Sequence, residues 1–262
     1  MKNGNSQSVN SSVIRALDML ELLITTPNAL SIAEICRKLD LNRVTCVNML
    51  NTLMSKKYVY KNADGHYVIS GKIYVMAMLY RESFPIIEPF NIIACDAIKD
   101  LNCIANLTVV ADLDKALVLS QVPDAKVYTS AAAQLYYPLY CTANGKVLLA
   151  HQPAKRIDTV LETLEPKKYT EHTVVDKDAI RRELSITRER GYGLDYMEYY
   201  DNTICIGAPV FGKNGQVAFA VSFTEIKLDE EHTIDWYVPR IIDLAKALSY
   251  TIGYRNKSLD IF

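Results

Sequence analysis

Residues 30–53 decide how the amino-terminal part of the chain folds: Leu30-Ser31-Ile32-Ala33-Glu34-Ile35-Cys36-Arg37-Lys38-Leu39-Asp40-Leu41-Asn42-Arg43-Val44-Thr45-Cys46-Val47-Asn48-Met49-Leu50-Asn51-Thr52-Leu53. Ser31 and Glu34 stand at capping-box spacing: the hydroxyl accepts from a backbone N–H three residues on, and the carboxylate reaches back. Ile32, Ile35, Cys36 and Leu39 then mark one buried face of a short helix. Asp40 falls in the following turn, where a left-handed conformation suits Asp better than most residues. Asn42 is a good N-cap for the next helix. That helix turns Cys46, Met49, Leu50 and Leu53 inward and Arg43, Val44, Val47, Asn48 and Asn51 the other way. Two short helices joined by a tight turn predict a helix-turn-helix.

The flanks extend this unit. Upstream, Val13, Ile14, Leu17, Leu20 and Leu23/Ile24 have helical spacing from Ser12, and Thr25-Thr26-Pro27-Asn28 ends the helix. The Val13/Leu17/Leu20 stripe is expected in the core of its own domain rather than against a second subunit. The first ten residues, rich in Asn and Ser, read as a loose tail. Downstream, Lys57–Lys61 and His66–Ile69 read as short β segments around Asn62-Ala63-Asp64-Gly65, which carries the Asp-Gly hairpin signal. Residues 12–70 are therefore expected as three helices and a β wing.

In such a unit the second helix of the pair lies in the major groove. Arg43 can reach guanine or phosphate, Asn48 and Asn51 adenine edges, and Val44 and Val47 thymine methyls. Thr45 and the Ser31 cap can bond phosphates. Lys56, Lys57, Lys61 and His66 bring the wing to the backbone. The alternative is a winged-helix protein-interaction module, which the apolar Val44/Val47 pair would suit, fused to a metabolite-binding or cysteine-dependent enzymatic domain.

Past residue 70 the pattern changes. Residues 71–82 and, after Pro85, 86–101 read as helices. Apolar, β-branched runs at 104–111, 116–122, 203–210 and 216–223 read as strands. Helical patterns lie at 144–151, 154–164, 177–190 and 234–253. This predicts an α+β domain with an antiparallel sheet. The expected division is a winged helix-turn-helix at 11–71, a linker helix at 72–84 and a second domain at 85–255.

Charge follows the same division. Residues 1–75 hold nine Lys/Arg against five Asp/Glu, and the remainder twenty against twenty-five, for a net charge of −1 overall. A basic head on an acidic body fits phosphate contact by the head alone. The six cysteines stand singly, with no CxxC and no zinc-ligand spacing, so neither metal nor cofactor is expected. No secretory signal and no long apolar run is visible, which predicts a cytoplasmic protein without a membrane span. Catalysis would need Cys205 or Cys141 as nucleophile with His66, His151, His172 or His232 as base. No local motif of that chemistry exists, so the chain is not read as an enzyme.

The segments Arg15-Ala16-Leu17-Asp18-Met19-Leu20-Glu21, Leu30 to Ile35, Leu41 to Thr45, Leu53 and Tyr58-Val59 together resemble the IclR family of transcription regulators. The likeness continues through Tyr137 to Lys146, Arg188 to Asp195, Glu198, Cys205 to Phe211 and Tyr254. It covers about residues 11–254. It implies a winged helix-turn-helix joined to a GAF/profilin-like sensing domain, binding to a double-stranded DNA operator, assembly as a homodimer or homotetramer, and a small organic effector, a carboxylate or an aromatic acid. The effector residues it implies are Ala143, Asn144, Gly145, Asp195, Cys205, Ser222 and Thr224. The chain departs from the family pattern in the recognition helix (Val44, Val47, Asn48), at Tyr140 and at Asp201, which bear on the operator and the ligand.

Overall fold

A computed structural model describes residues 9–99, 101–124, 135–226 and 228–255. The expected loose tail lies mostly outside them. The chain divides after Ser83 into two compact units.

The first unit runs through α1 (Ser11–Thr25), α2 (Ile32–Leu39), α3 (Arg43–Ser55), the hairpin β1 (Val59–Lys61) and β2 (Tyr67–Ile69), and α4 (Lys72–Glu82). The Ser31–Glu34 capping box forms, with Glu34 Oε2 accepting from the Ser31 N–H at 2.8 Å. Asp40 closes α2 at φ 50, in the left-handed region. Asn42 caps α3 by accepting from the Thr45 N–H at 2.9 Å. Met19, Leu23, Ile35, Cys46, Leu50 and Val59 fill the core. The first wing strand starts later than expected, because Lys57 turns at φ 61 and its N–H bonds the Met54 carbonyl. One packing expectation is overturned. Val13 and Leu17 are 54% and 53% exposed, since α1 turns Met19 and Leu23 inward instead.

The second unit contains α5 (Ile87–Ala97), β3 (Ile104–Val110), β4 (Lys115–Pro123), β5 (Tyr136–Pro138), α6 (Ala143–Ala150), α7 (Ala154–Thr163), α8 (Lys177–Arg190), β6 (Gly193–Tyr196), β7 (Ile204–Phe211), β8 (Val217–Thr224) and α9 (Ile234–Thr251). The six strands among its described residues form one antiparallel sheet in the order β5-β4-β3-β8-β7-β6. The short edge strands β5 and β6 were not expected from the sequence.

Strand alternation sends two kinds of side chain to the two faces. Ala105 and Leu107 of β3, Ile206, Ala208 and Val210 of β7, and Val221 and Phe223 of β8 pack against α5 and α9. The intervening residues are Asn106 and Thr108, Cys205 and Gly207, and Ser222 and Thr224. The apolar face is the ordinary hydrophobic drive, with a fully buried side chain such as Phe90 or Phe223 contributing about 1.5–3 kcal/mol.

The opposite face receives α6, which is held unusually close. A Cβ on Gly193 would lie 2.4 Å from the Ala143 carbonyl oxygen and 2.9 Å from Val147 Cγ2, and one on Gly207 would lie 2.7 Å from Asn144 Oδ1. Gly145 does the same on the helix side, where a Cβ would lie 2.6 Å from the Leu139 and Pro138 carbonyl oxygens. These three glycines let backbone rest on backbone.

Gly193→Ala should therefore destabilise the chain by about 1–3 kcal/mol, the range for overpacking. Gly71→Ala, where nothing lies within 4 Å of the added carbon, should be close to neutral. Urea midpoints of the two variants check this; equal midpoints would remove the close-approach account.

Candidate functional site

Two sets of residues answer to the expected chemistry, one in each unit. In the first, α3 exposes Arg43, Val44, Asn48 and Asn51, with Thr45 and Val47 half-buried beside them. Val44 is 71% exposed, so it contributes nothing to the core in the free chain. Lys56, Lys57 and Lys61 are exposed at the end of α3 and on the wing, and His66 is half-buried. Ser31 is differently placed from the others. Its hydroxyl donates to Glu34 Oε2 at 2.7 Å, and this bond holds the Glu34 carboxyl below its ordinary range. A phosphate at Ser31 would meet that carboxylate, so the hydroxyl is committed within the protein.

In the second unit, the polar face of the sheet and the start of α6 enclose a cavity of about 80 Å³. One water needs only about 10–15 Å³ of such space, so several waters or a small organic molecule fit. Ala143, Asn144, Asp195, Cys205, Ser222 and Thr224 all line it. Strand register brings the last four together. Asp195 pairs with Cys205, Cys205 with Thr224, and Ser222 with Asn106 across neighbouring strands. Gly145 does not line the cavity; it is the close-packing residue described above.

Further residues add to the lining. Asn106, Thr108 and Gln121 come from β3 and β4, and Tyr137, Tyr199, Tyr200 and Thr203 also face the cavity. They form a connected polar row: Gln121 Nε2 donates to Asn106 Oδ1 at 2.7 Å, and Asn106 Nδ2 donates to Thr224 Oγ1 at 2.8 Å. Asn144 Nδ2 donates to Thr108 Oγ1 at 2.7 Å, while its buried Oδ1 has no partner among the described residues. Alternating polar residues inside apolar β3 were the available signal, but that pattern also describes a strand with one wetted face. The neighbouring tyrosines lie elsewhere: Tyr136 is exposed, and Tyr140 is buried with its hydroxyl on the Lys167 carbonyl.

Among the described residues no Lys, Arg or His lines the cavity. Among the described residues its one carboxyl is that of Asp195, whose Oδ1 accepts from the N–H groups of Glu198 at 2.7 Å and Tyr199 at 3.4 Å. It thus caps a turn rather than pairing with an arginine. Burial outweighs those two hydrogen bonds and pushes its carboxyl up to about 7. Next along the chain, Glu198 joins Lys146, which is buried on α6 and also donates to the Leu194 carbonyl at 2.8 Å. Arg190 and Lys146 share Glu183 at 2.9 and 3.7 Å. This network fixes the turn that carries Tyr199 and Tyr200. Burial pushes the Cys141 and Cys205 thiols well above their ordinary range, which is unsuited to a nucleophile. Among the described residues no cluster of His, Cys, Asp and Glu is arranged to hold a metal, and no helix is long and apolar enough to cross a membrane.

Comparison with known proteins adds the family. Residues 12–63 match the IclR helix-turn-helix domain, and residues 79–250 match the domain described as bacterial transcriptional regulator IclR C-terminal. An uncharacterized HTH-type transcriptional regulator of Haemophilus influenzae is 29% identical, with 94% of each chain covered. The Thermotoga maritima IclR crystal structure superposes with a TM-score of 0.76 at 26% identity, over 93% of this chain and 99% of that one. An IclR homolog of Microbacterium hydrocarbonoxydans, complexed with 4-hydroxybenzoate, shares the fold at a TM-score of 0.73 and 18% identity, over 92% and 99% of the two chains. With both of its units matched, the chain belongs to the IclR family and is a DNA-binding transcription regulator.

Proposed function

We propose that this regulator binds its operator through α3 and the wing, and that a small organic carboxylate in the sheet cavity modulates operator affinity. The single observation that carries the second part is the cavity itself, which gathers six of the seven residues that the family resemblance implies. The 4-hydroxybenzoate held by the Microbacterium homolog supports an acid of that size.

A carboxylate needs donors, and no cation among the described residues lines the cavity. Two sources are at hand. The α6 N-terminus is capped at Thr142, whose Oγ1 accepts from the Gly145 N–H, leaving the N–H groups of the preceding residues to face an anion. Asp195, when protonated, donates its own proton to the ligand. Hydroxyl or carbonyl groups on the rest of the ligand meet Ser222, Thr224 and the Asn106–Gln121 row. The lone Asn144 Oδ1 accepts from a ligand hydroxyl.

For operator affinity to change, the effector must bind the DNA-competent and DNA-free arrangements unequally, and by linkage DNA changes effector affinity by the same factor. We assign the domains as 11–71, 72–84 and 85–255, with the connecting helices as the route of coupling. A homodimer or homotetramer would present paired recognition helices to a two-fold operator, in the cytoplasm.

Three outcomes are expected. Arg43→Ala should weaken operator binding by about 1–3 kcal/mol, roughly 5- to 150-fold, with an unchanged far-UV spectrum; unaltered affinity in a gel-shift titration would remove α3 from the interface. Ser222→Val with Thr224→Val should abolish the effector response while operator binding persists, and a normal response would place the ligand elsewhere. The third concerns pH. Asp195 is protonated below about 7 in the folded chain, so carboxylate affinity should be level at acid pH and fall as pH rises through about 7. Asp195→Asn, which keeps a donor, should bind with little pH dependence. Calorimetric affinities that rise with pH would contradict the protonated-acid assignment.

A further inference from the structure

One side chain lines two cavities. Tyr137, in the middle of β5, borders the effector cavity and also a second cavity of about 180 Å³, more than twice the volume of the first. The second cavity lies among the start of β4, β5 and the segment after α7, with Lys115, Tyr136, Glu165, Lys167 and Tyr169 in its wall. All five are exposed, so this cavity meets solvent, whereas Asn106, Asp195, Cys205 and Ser222 of the first are buried.

The rings at this boundary touch one another. Tyr137 and Tyr199 meet edge-on, with centroids 5.4 Å apart and planes at 78°. Tyr199 lines the effector cavity, and its ring also meets Tyr169, a wall residue of the second cavity, at 4.7 Å. Main-chain pairing fixes the Tyr137 end of this row. Tyr137 stands opposite Ala116 in the β4–β5 register, and directly paired residues project to the same face of a sheet. Ala116 is itself buried in the wall of the effector cavity, and its single methyl group leaves the space beside it for the ring. Flanking bonds hold β5 in that register, from the Val118 N–H to the Leu135 carbonyl and from the Leu139 N–H to the Asp114 carbonyl, both at 2.9 Å. At the other end, Tyr199 is carried by the turn that Asp195 and the Lys146–Glu198 pair hold.

We propose that Tyr137 is a specificity-determining residue: its ring is the partition that sets the largest molecule the effector cavity admits. The inference rests on the sheet cavity being the effector site. A space of about 80 Å³ takes a small acid without a long substituent. A longer acid would have to run where the Tyr137 ring stands. Beyond it lies a compartment of different chemistry, whose wall carries Lys115 and Lys167 together with Asp114 and Glu165. Rings packed against one another resist displacement, so a longer acid is refused by a clash rather than accommodated. Removing the ring joins the two spaces, and a chain with a small residue at 137 accepts acids whose far end reaches the second cavity.

Admission is measurable without an effector, because Cys205 lines the effector cavity and reports what reaches it. The full native chain, Tyr137→Ala and Tyr137→Phe are treated with methyl methanethiosulfonate, a small reagent, and with dithiobis(nitrobenzoate), a bulky aromatic acid. Mass spectrometry of the digests gives the modification rate at each cysteine. The readout is the ratio of bulky to small reagent at Cys205. The proposal expects that ratio to rise by an order of magnitude in Tyr137→Ala and to keep its native value in Tyr137→Phe, which retains the ring. Cys103, buried in the core on the α5–α9 side of the sheet, should react alike in all three chains. A native ratio in Tyr137→Ala would overturn the proposal. So would an equal rise in Tyr137→Phe, or a parallel rise at Cys103, which signals general loosening. Tyr137→Leu, a milder truncation, should move the ratio the same way by less, and it decides the matter if the alanine chain fails to fold. A panel of acids that shifts the thermal midpoint of no chain would refute the effector-site reading, while the Cys205 ratio alone decides the partition.

Discussion

The second unit depends on one steric constraint: backbone must rest on backbone where α6 crosses the sheet. Gly193 and Gly207 open the strands, and Gly145 opens the helix toward Leu139 and Pro138. A side chain at any of the three would meet main-chain or amide atoms inside contact distance. The approach brings the start of α6 down onto the polar side of β7 and β8, and the cavity is the space left at its edge. It also drives Lys146 into the interior, where Glu198 and the Leu194 carbonyl satisfy it. A buried ion pair of this kind contributes little net stability but is costly to break. Its consequence here is positional, since it pins the turn carrying Tyr199 and Tyr200.

The same geometry explains the electrostatics. The cavity is mostly walled by carbon, and its polar groups among the described residues are hydroxyls, amides, one thiol and one carboxyl, without a cation. Solvent is largely excluded, so the carboxyl is favoured in its neutral form. A neutral acid and helix N–H groups together make a donor-rich end, and the Thr224–Asn106–Gln121 row makes a second polar end. A molecule with a carboxylate at one end and hydroxyl or carbonyl oxygen at the other fits both. The head unit follows a different logic. Its core is small and apolar, and its exposed helix face is left free to make contacts outside the chain.

How much was legible in the sequence depends on how local each signal is. The Ser31–Glu34 box, the Asp40 turn, the Asn42 cap and the Asp-Gly wing are each written within five residues, and each forms as read. Helix α8 was also legible, because Asp176 caps it and Gly191 ends it at φ 79. Strands β5 and β6, of three and four residues, were too short for alternation to stand out. The Val13/Leu17 stripe misled because periodicity reports an apolar face without saying what covers it. Asn106, Thr108 and Gln121 were passed over because a polar residue in a strand signals a wetted face and an enclosed cavity alike.

The central claim is that the sheet cavity is the acid-binding effector site. The most direct measurement is the thermal midpoint of the full chain, and of Ser222→Leu, against a panel of small hydroxy, keto and aromatic acids that includes 4-hydroxybenzoate. A ligand that binds only the folded chain raises its midpoint by mass action. The account predicts that at least one acid raises the midpoint of the native chain and that the leucine filling the cavity floor abolishes the shift. An acid that stabilises both chains equally, or stabilisation confined to cationic compounds, would contradict it.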